Sequence, residues 1–316
     1  MTRALFPLLS ALLILPALAG CDLVKSGDEG NLEFELVSSD RVVPFAFGTP
    51  LAAGLSADVQ VYVAGGDRLP AKVNLAQPTD QTIAVVTATQ EGRFTLKAKQ
   101  VGTTKVEVVS AAGNDSFDLA VNALARVTLL QPGRALVPES PPVRVAQGGT
   151  ARFPFTLTDS NARQLIGYGP LPVEVAPAAA AAAATTTSAG LLSVDFMEPG
   201  DVTLTPLGAD PLTVTVVPVS DITRLAFARA DGSPTPSVAS GGATTVIVEA
   251  DNDAVEAILG LTGLVTVTTT TPTHCSVAQS AVLGDAVYQV TGLAAGTCEI
   301  SATLGALSAA TTVEVQ

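Results

Sequence analysis

The stretch VYQVTGLAAGTCEISA, residues 287–302, decides the fold. Tyr288 and Val290 stand eight and six residues before Gly296, and Cys298 and Ile300 stand two and four residues after it. Alternation of period two on both sides of a glycine describes two half-buried strands joined at a turn. The pattern occurs three times. RFTLKAKQVGTTKVEVV (93–109) and LLSVDFMEPGDVTLTP (191–206) align with it on Gly102 and Gly200, so the three glycines lie 98 and 96 residues apart. The matching positions before the glycine are Phe94 and Leu96, then Leu192 and Val194. Those after it are Thr104 and Val106, then Val202 and Leu204.

Each copy closes with a further alternating strand, marked by Phe117, Leu119 and Val121; by Leu212, Val214 and Val216; and by Thr311, Val313 and Val315. The front halves match as well. VAQGGTARFPFTLTD (145–159) parallels VASGGATTVIVEAD (238–251), and LAAGLSADVQVYVAGG (51–66) is a looser third copy. A turn-rich segment follows each: GGDRLPA, DSNARQLIGYGP and DNDAVEAILGLTG. Three units of about 95 residues, each with roughly seven short strands, suit an immunoglobulin-like sandwich. The expected divisions are 31–124, 125–219 and 220–316. A composition rich in Thr, Val, Ala, Gly and Pro supports an all-β reading.

TGLAAGTCEISATLGA (291–306) resembles the C-terminal half of bacterial Ig-like (Big) domains, in which a VTGLAAGT-x-x-I-x-A stretch recurs. TLTDSNARQLIGYGPLPVEV (156–175) is similar to their front half. The resemblance is strong in the third unit, moderate in the second and weak in the first. Such domains stand in tandem in invasin- and intimin-like adhesins and in surface lipoproteins. The resemblance therefore implies an adhesive or structural surface role, although one fold hosts many functions.

The second unit contains PAAAAAAATTTSAG (177–190). Pro78, Pro177 and Pro272 precede Phe94, Leu192 and Tyr288 by 16, 15 and 16 residues, which places the alanines where the other units carry a strand. A helix is the rival reading, but seven alanines fall short of the roughly 12–15 residues that an isolated helix needs. The expectation is a poor peripheral strand or irregular segment. Since alanine buries little surface, the second unit is expected to be the least stable.

At the N-terminus, Arg3 precedes an apolar run from Ala4 to Ala17 that ends in small residues, the pattern of an export signal over 1–20. Leu18-Ala19-Gly20-Cys21 resembles a bacterial lipobox, which implies lipid attachment at Cys21 and a membrane anchor. Asp22 resembles an inner-membrane retention signal, while the outer membrane or cell surface is the expected address. Residues 21–30 read as the lipidated cysteine and a polar tether. The net charge of −13 argues against nucleic acid as a partner.

Few residues suggest chemistry. Cys275 and Cys298 form an expected disulfide in an exported chain. His274 is the single histidine, so a site needing two is excluded, and no G-x-S-x-G stretch exists. No catalytic residues or cofactor are expected. Glu249, Asp251, Asn252, Asp253 and Glu256 form the densest carboxylate cluster. It reads as a turn, or as a turn that also binds calcium through Glu249, Asp251 and Asp253. Tyr168, within IGYGP, is the one loop aromatic singled out; it reads as an exposed turn residue, or as a ligand contact. The leading functional reading is a lipid-anchored spacer or adhesive stalk. The alternative is a polysaccharide- or cell-wall-binding module assisting a partner enzyme, with a protein or glycan ligand.

Overall fold

The computed structural model describes residues 24–37, 48–65, 68–130, 143–183, 190–229, 236–254, 256–280 and 285–316. Cys21 and the signal lie outside them, as do residues 184–189 of the alanine–threonine run. The chain is all-β. Among the described residues the one helical element is a 3-10 turn at Val219–Asp221, and no helix is long and apolar enough to cross a membrane.

The first sandwich comprises β1 (Val24–Ser26), β2 (Leu32–Val37), β3 (Leu51–Ala52), β4 (Ser56–Val63), β5 (Val73–Pro78), β6 (Ala84–Gln90), β7 (Arg93–Ala98), β8 (Gly102–Ser110) and β9 (Gly113–Asn122). The second comprises β10 (Arg126–Leu129), β11 (Val143–Ala146), β12 (Thr150–Thr158), β13 (Gln164–Leu165), β14 (Val173–Ala176), β15 (Ala181–Ala183), β16 (Leu191–Phe196), β17 (Gly200–Pro206) and β18 (Leu212–Val217). The third comprises β19 (Arg224–Arg229), β20 (Ser237–Val238), β21 (Ala243–Asp251), β22 (Ala257–Leu259), β23 (Thr266–Thr269), β24 (Cys275–Gln279), β25 (Val287–Gly292), β26 (Gly296–Leu304) and β27 (Leu307–Val315).

One sheet of the first sandwich runs β2-β4-β7-β6 with β1 at its edge, and the other runs β3-β9-β8-β5, with β3 parallel to β9. The second repeats this as β10-β12-β16-β15 facing β11-β18-β17-β14, and the third as β19-β21-β25-β24 facing β20-β27-β26-β23. This division, four strands against three plus a short parallel one, is immunoglobulin-like topology.

The alternation read in the sequence faces inward. Phe94, Leu96, Leu192, Val194, Tyr288 and Val290 are buried on one sheet of each pair. Val106, Val202, Leu204, Cys298 and Ile300 are buried on the opposing one. The aligned glycines do not close hairpins. They start β8, β17 and β26, where the chain crosses from one sheet to the other, and their φ values of 157°, 124° and 142° lie where side chains rarely go. Three separate cores result, each dominated by aliphatic side chains, with Phe added in the first two, such as Phe34 packed on Phe117 at a centroid distance of 4.8 Å. Each fully buried side chain of this size contributes about 1.5–3 kcal/mol.

The alanine run does form a strand. Ala181–Ala183 makes the edge strand β15, paired with β16 through Ala181↔Phe196. The homologous inward positions are Ala84, paired with Ala98, and Cys275, paired with Gly292. All three are fully buried and small, so this slot takes a small residue in every sandwich. In the second, Ala181 shares its core with Phe153, Phe155 and Phe196. At Ala181 the alanine replaces no large side chain, whereas Ala183, paired with Val194, stands where Val86 and Val277 pack against the other two cores, so the expected weakness of the second unit rests on that position alone.

The expected tether is also different in the structure. Val24–Ser26 pairs with β2, and the turn after it is clamped by Asp115, whose carboxylate accepts the N–H groups of Glu29, Asn31 and Leu32. A Cβ at Gly27 would lie 2.1 Å from the Asp115 carboxyl, so glycine is required there. Burial pushes the Asp115 carboxyl up, but the hydrogen bonds more than offset it and its pKa lies below the usual carboxylate value. Val24 onward thus belongs to the first sandwich.

Candidate functional site: the joints between sandwiches

The turn-rich segments of the second and third units dock on the sandwich before them. In the first joint, the Ala52 N–H donates to the Ile166 carbonyl at 2.9 Å and the Ile166 N–H to that of Pro50 at 3.0 Å. Ser56 and Tyr168 exchange both backbone bonds at 2.8 Å. The contact is interlocked: Ala52 and Leu55 belong to the second core, and Ile166 belongs to the first. Gly167 fits because a Cβ there would lie 2.7 Å from the Leu55 Cβ.

Tyr168, read as an exposed turn residue or a ligand contact, is part of this joint. Its hydroxyl donates to Asp58 Oδ1 at 2.9 Å. Asp58, almost fully buried, also accepts from Thr95 Oγ1 at 2.6 Å and pairs with Arg93. Desolvation, with the Asp58 hydrogen bond and charge, pushes the Tyr168 phenol up to about 12. A side chain read as exposed is half-buried between two sandwiches.

The second joint repeats the first and extends it. β11 pairs in parallel with β22 through Arg144↔Ile258 and Val145↔Leu259. Since β11 also pairs with β18, hydrogen bonding runs unbroken through β14-β17-β18-β11-β22-β21-β25-β24, across both sandwiches. The Thr150 N–H donates to the Thr262 carbonyl at 3.3 Å, where Ser56 met Tyr168. Ala146, like Ala52, has no exposed surface and lies in the core of the next sandwich. Arg144 pairs with Glu256 at 2.9 Å, and Arg152 donates to the Ser280 carbonyl at 2.9 Å.

Two glycines permit the close approach. A Cβ at Gly149 would lie 1.7 Å from the Gly260 carbonyl oxygen, and one at Gly260 would lie 2.3 Å from Val145 Cγ1. Asp285 holds the docking segment from behind, accepting the N–H of Gly260 at 2.5 Å, the N–H of Thr262 at 3.1 Å and its hydroxyl at 2.7 Å. Desolvation pushes the Asp285 carboxyl above the usual carboxylate value, against the pull of these donors.

The carboxylate cluster is arranged as a turn. Asn252 Oδ1 accepts the N–H groups of Ala254 and Glu256, and its amide donates to Glu256 Oε2 at 2.7 Å. Asp251 lies 3.7 Å from Arg224, and Glu256 is committed to Arg144, while Glu249 and Asp253 are exposed. Among the described residues no three His, Cys, Asp or Glu side chains are grouped to hold a metal ion. Cys275 and Cys298 form a disulfide between the two sheets of the third sandwich, with a Cα–Cα distance of 5.7 Å. The His274 ring lies over Gly296, where a Cβ would meet it at 2.5 Å, and its buried Nδ1 has no hydrogen-bond partner among the described residues.

The sequence reading missed Asp58, Asp285 and the paired glycines. The signal for the glycines was present in the matched GG of VAQGGTA and VASGGAT, which no turn conformation at Gly149 or Gly242 demands.

No protein-family profile matches this chain, and no curated relative does. Among solved structures, domains 4–9 of the surface layer protein SbsC match at 16% identity and a TM-score of 0.33, over 89% of this chain and 47% of that one. The chain therefore spans about half the length of that structure. The Escherichia coli adhesin FdeC matches at 11% identity and a TM-score of 0.27, over 93% and 98%. Invasin, a bacterial integrin-binding protein, matches at 14% identity and a TM-score of 0.25, over 90% and 60%.

Proposed function

We propose that this chain is a non-enzymatic, lipid-anchored protein of the cell envelope. Its three sandwiches act in series as a spacer or adhesive stalk that carries the third away from the membrane. The observation behind this reading is the pair of joints. Each buries an alanine of one sandwich in the core of the next and ties the two by backbone hydrogen bonds. Such joints cost the loop entropy once, at folding, and leave little freedom to bend.

In the anchored protein, lipid on Cys21 would leave only Asp22 and Leu23 before β1. Three peptide steps span at most about 11 Å, so the reach comes from the sandwiches rather than from a linker. Nine-residue strands such as β8 measure about 30 Å, and three units end to end would reach on the order of 100 Å.

Protease shaving of intact cells, comparing the native chain with Cys21→Ser, tests this reading. A surface stalk loses its C-terminal unit to external protease while a periplasmic control survives, and Cys21→Ser leaves the membrane fraction. Retention of Cys21→Ser in the membrane overturns the anchor. Survival of the native protein in intact cells overturns the outward-facing stalk and leaves a spacer facing the periplasm.

A further inference from the structure

The docking corner that receives a neighbour in each joint exists a third time. Leu51–Ser56, Val145–Thr150 and Val238–Ala243 form the same turn with the same bonds. Leu55, Gly149 and Gly242 donate to the carbonyls of Ala52, Ala146 and Ala239 at 3.1, 3.2 and 2.8 Å. Gly54, Gly148 and Gly241 donate to those of Ala98, Phe196 and Gly292 at 3.2, 2.7 and 2.9 Å. Ala53, Gln147 and Ser240 donate to the carbonyls of Asn122, Val217 and Gln316, at or just past the end of the last strand of their own sandwich. What differs is the cover. Ala52 and Ala146 have no exposed surface, whereas Ala239 is exposed, with Ser237, Ser240 and Ala243 around it.

Polar groups are left over in the same pattern. The Ala52 N–H meets Ile166 in the first joint, and among the described residues nothing accepts from the Ala239 N–H. Strand alternation turns the N–H and C=O of Ala243 away from β25, as it turns those of Ser56 and Thr150 toward their docked neighbours. Gly242 points the same way. Its φ is not in the left-handed region, and the homologous first-sandwich position is Leu55, so the corner itself does not require glycine. At Gly149 the glycine makes room for the backbone of the docked segment.

We infer that the corner Ser237–Ala243 is a docking site for an extended apolar–glycine segment of another immunoglobulin-like sandwich, which adds to β20 as Leu259-Gly260-Leu261-Thr262 adds to β11. The first sandwich cannot supply it. Its connection runs from Ala71, already paired with its own β4, to β5 at Val73, without the residues that Ile166–Pro172 and Leu259–Val265 insert. The inference rests on the joints and is independent of the lipid anchor.

The test is a titration of the isotope-labelled full chain with a peptide of residues 251–264, DNDAVEAILGLTGL, up to about 1 mM, the weak end of the affinity scale. The expected result is shifted resonances confined to Ser237–Ala243 and slowed amide exchange at Ala239 and Ala243. Both effects should be absent with Gly242→Ala at an unchanged melting temperature, and with a peptide carrying alanine in place of the glycine of the Leu-Gly-Leu sequence. If Gly242→Ala does not fold, the altered peptide alone makes the comparison. No change at these amides, or changes that either alanine leaves intact, overturns the inference without touching the spacer reading.

Discussion

Gly149→Ala should open the second joint while leaving both adjoining sandwiches folded. The added carbon would sit 1.7 Å from the Gly260 oxygen, and real Cβ contacts do not fall below 3.0 Å, so the docked segment must retreat by more than about 1 Å. That retreat breaks the Thr150–Thr262 hydrogen bond and strains the two-residue pairing of β11 with β22, at roughly 1 kcal/mol per bond. Uncovering Ala146 adds a fraction of this. The sum is about 3 kcal/mol, or on the order of a hundredfold in the opening equilibrium of the joint. Amide hydrogen exchange reads it directly: the Thr150 amide should exchange about a hundredfold faster, with core amides of β17 and β26 unchanged. Gly242→Ala is the matched control. Its Cβ meets nothing closer than the Ala239 carbonyl oxygen at 3.0 Å, a contact that relaxes by a few tenths of an ångström. The lost chain entropy of glycine offsets that cost, so stability should change by less than about 1 kcal/mol. Unchanged exchange at Thr150 in Gly149→Ala, or equal damage from the two substitutions, would refute the reasoning, because the corner itself would then be what demands glycine.

Other perturbations separate the remaining contributions. Tyr168→Phe removes one of several donors to Asp58 and should cost about 1–2 kcal/mol at the first joint, seen as faster exchange of the Ser56 amide without loss of either core. The Tyr168 phenol, raised from about 10 to about 12, contributes stability that is complete below the unfolded value and lost as pH rises through the folded one. Absorbance titration of the phenolate should show that step near the upper value, and a normal titration would remove the hydrogen bond from the account. Reduction of Cys275–Cys298, which closes a loop of separation 23, should lower the stability of the third sandwich by about 3 kcal/mol in calorimetry and leave the first unaffected. Asp285→Asn replaces a carboxylate that accepts four hydrogen bonds with an amide having one acceptor oxygen. Denaturant unfolding should show a loss of about 2–4 kcal/mol confined to the third sandwich and its joint.

The core of each sandwich was legible because alternation is a local signal. Tyr288, Val290, Cys298 and Ile300 announce their inward face without knowledge of their partners, and all four are buried. The slot for the alanine run was legible by spacing, but its consequence was not. That Ala181 costs nothing depends on Phe196 across the strand pair and on Ala84 and Cys275 in the other units, which are facts of register. The joints were hidden for the same reason. Tyr168 has the composition of an exposed turn residue, and only the neighbouring sandwich, with Asp58 110 residues away, buries it. Residues 24–30 read as a tether because their anchor, Asp115, lies more than 80 residues on. Polar side chains that act through distant backbone groups leave no periodic trace.

The account rests on serial coupling of the three sandwiches, and backbone nitrogen relaxation of the full chain measures that most directly. Residues of β8, β17 and β26 should report one shared, strongly anisotropic rotational diffusion, slower than any single sandwich would show. Three separate, faster correlation times, one per sandwich, would contradict it.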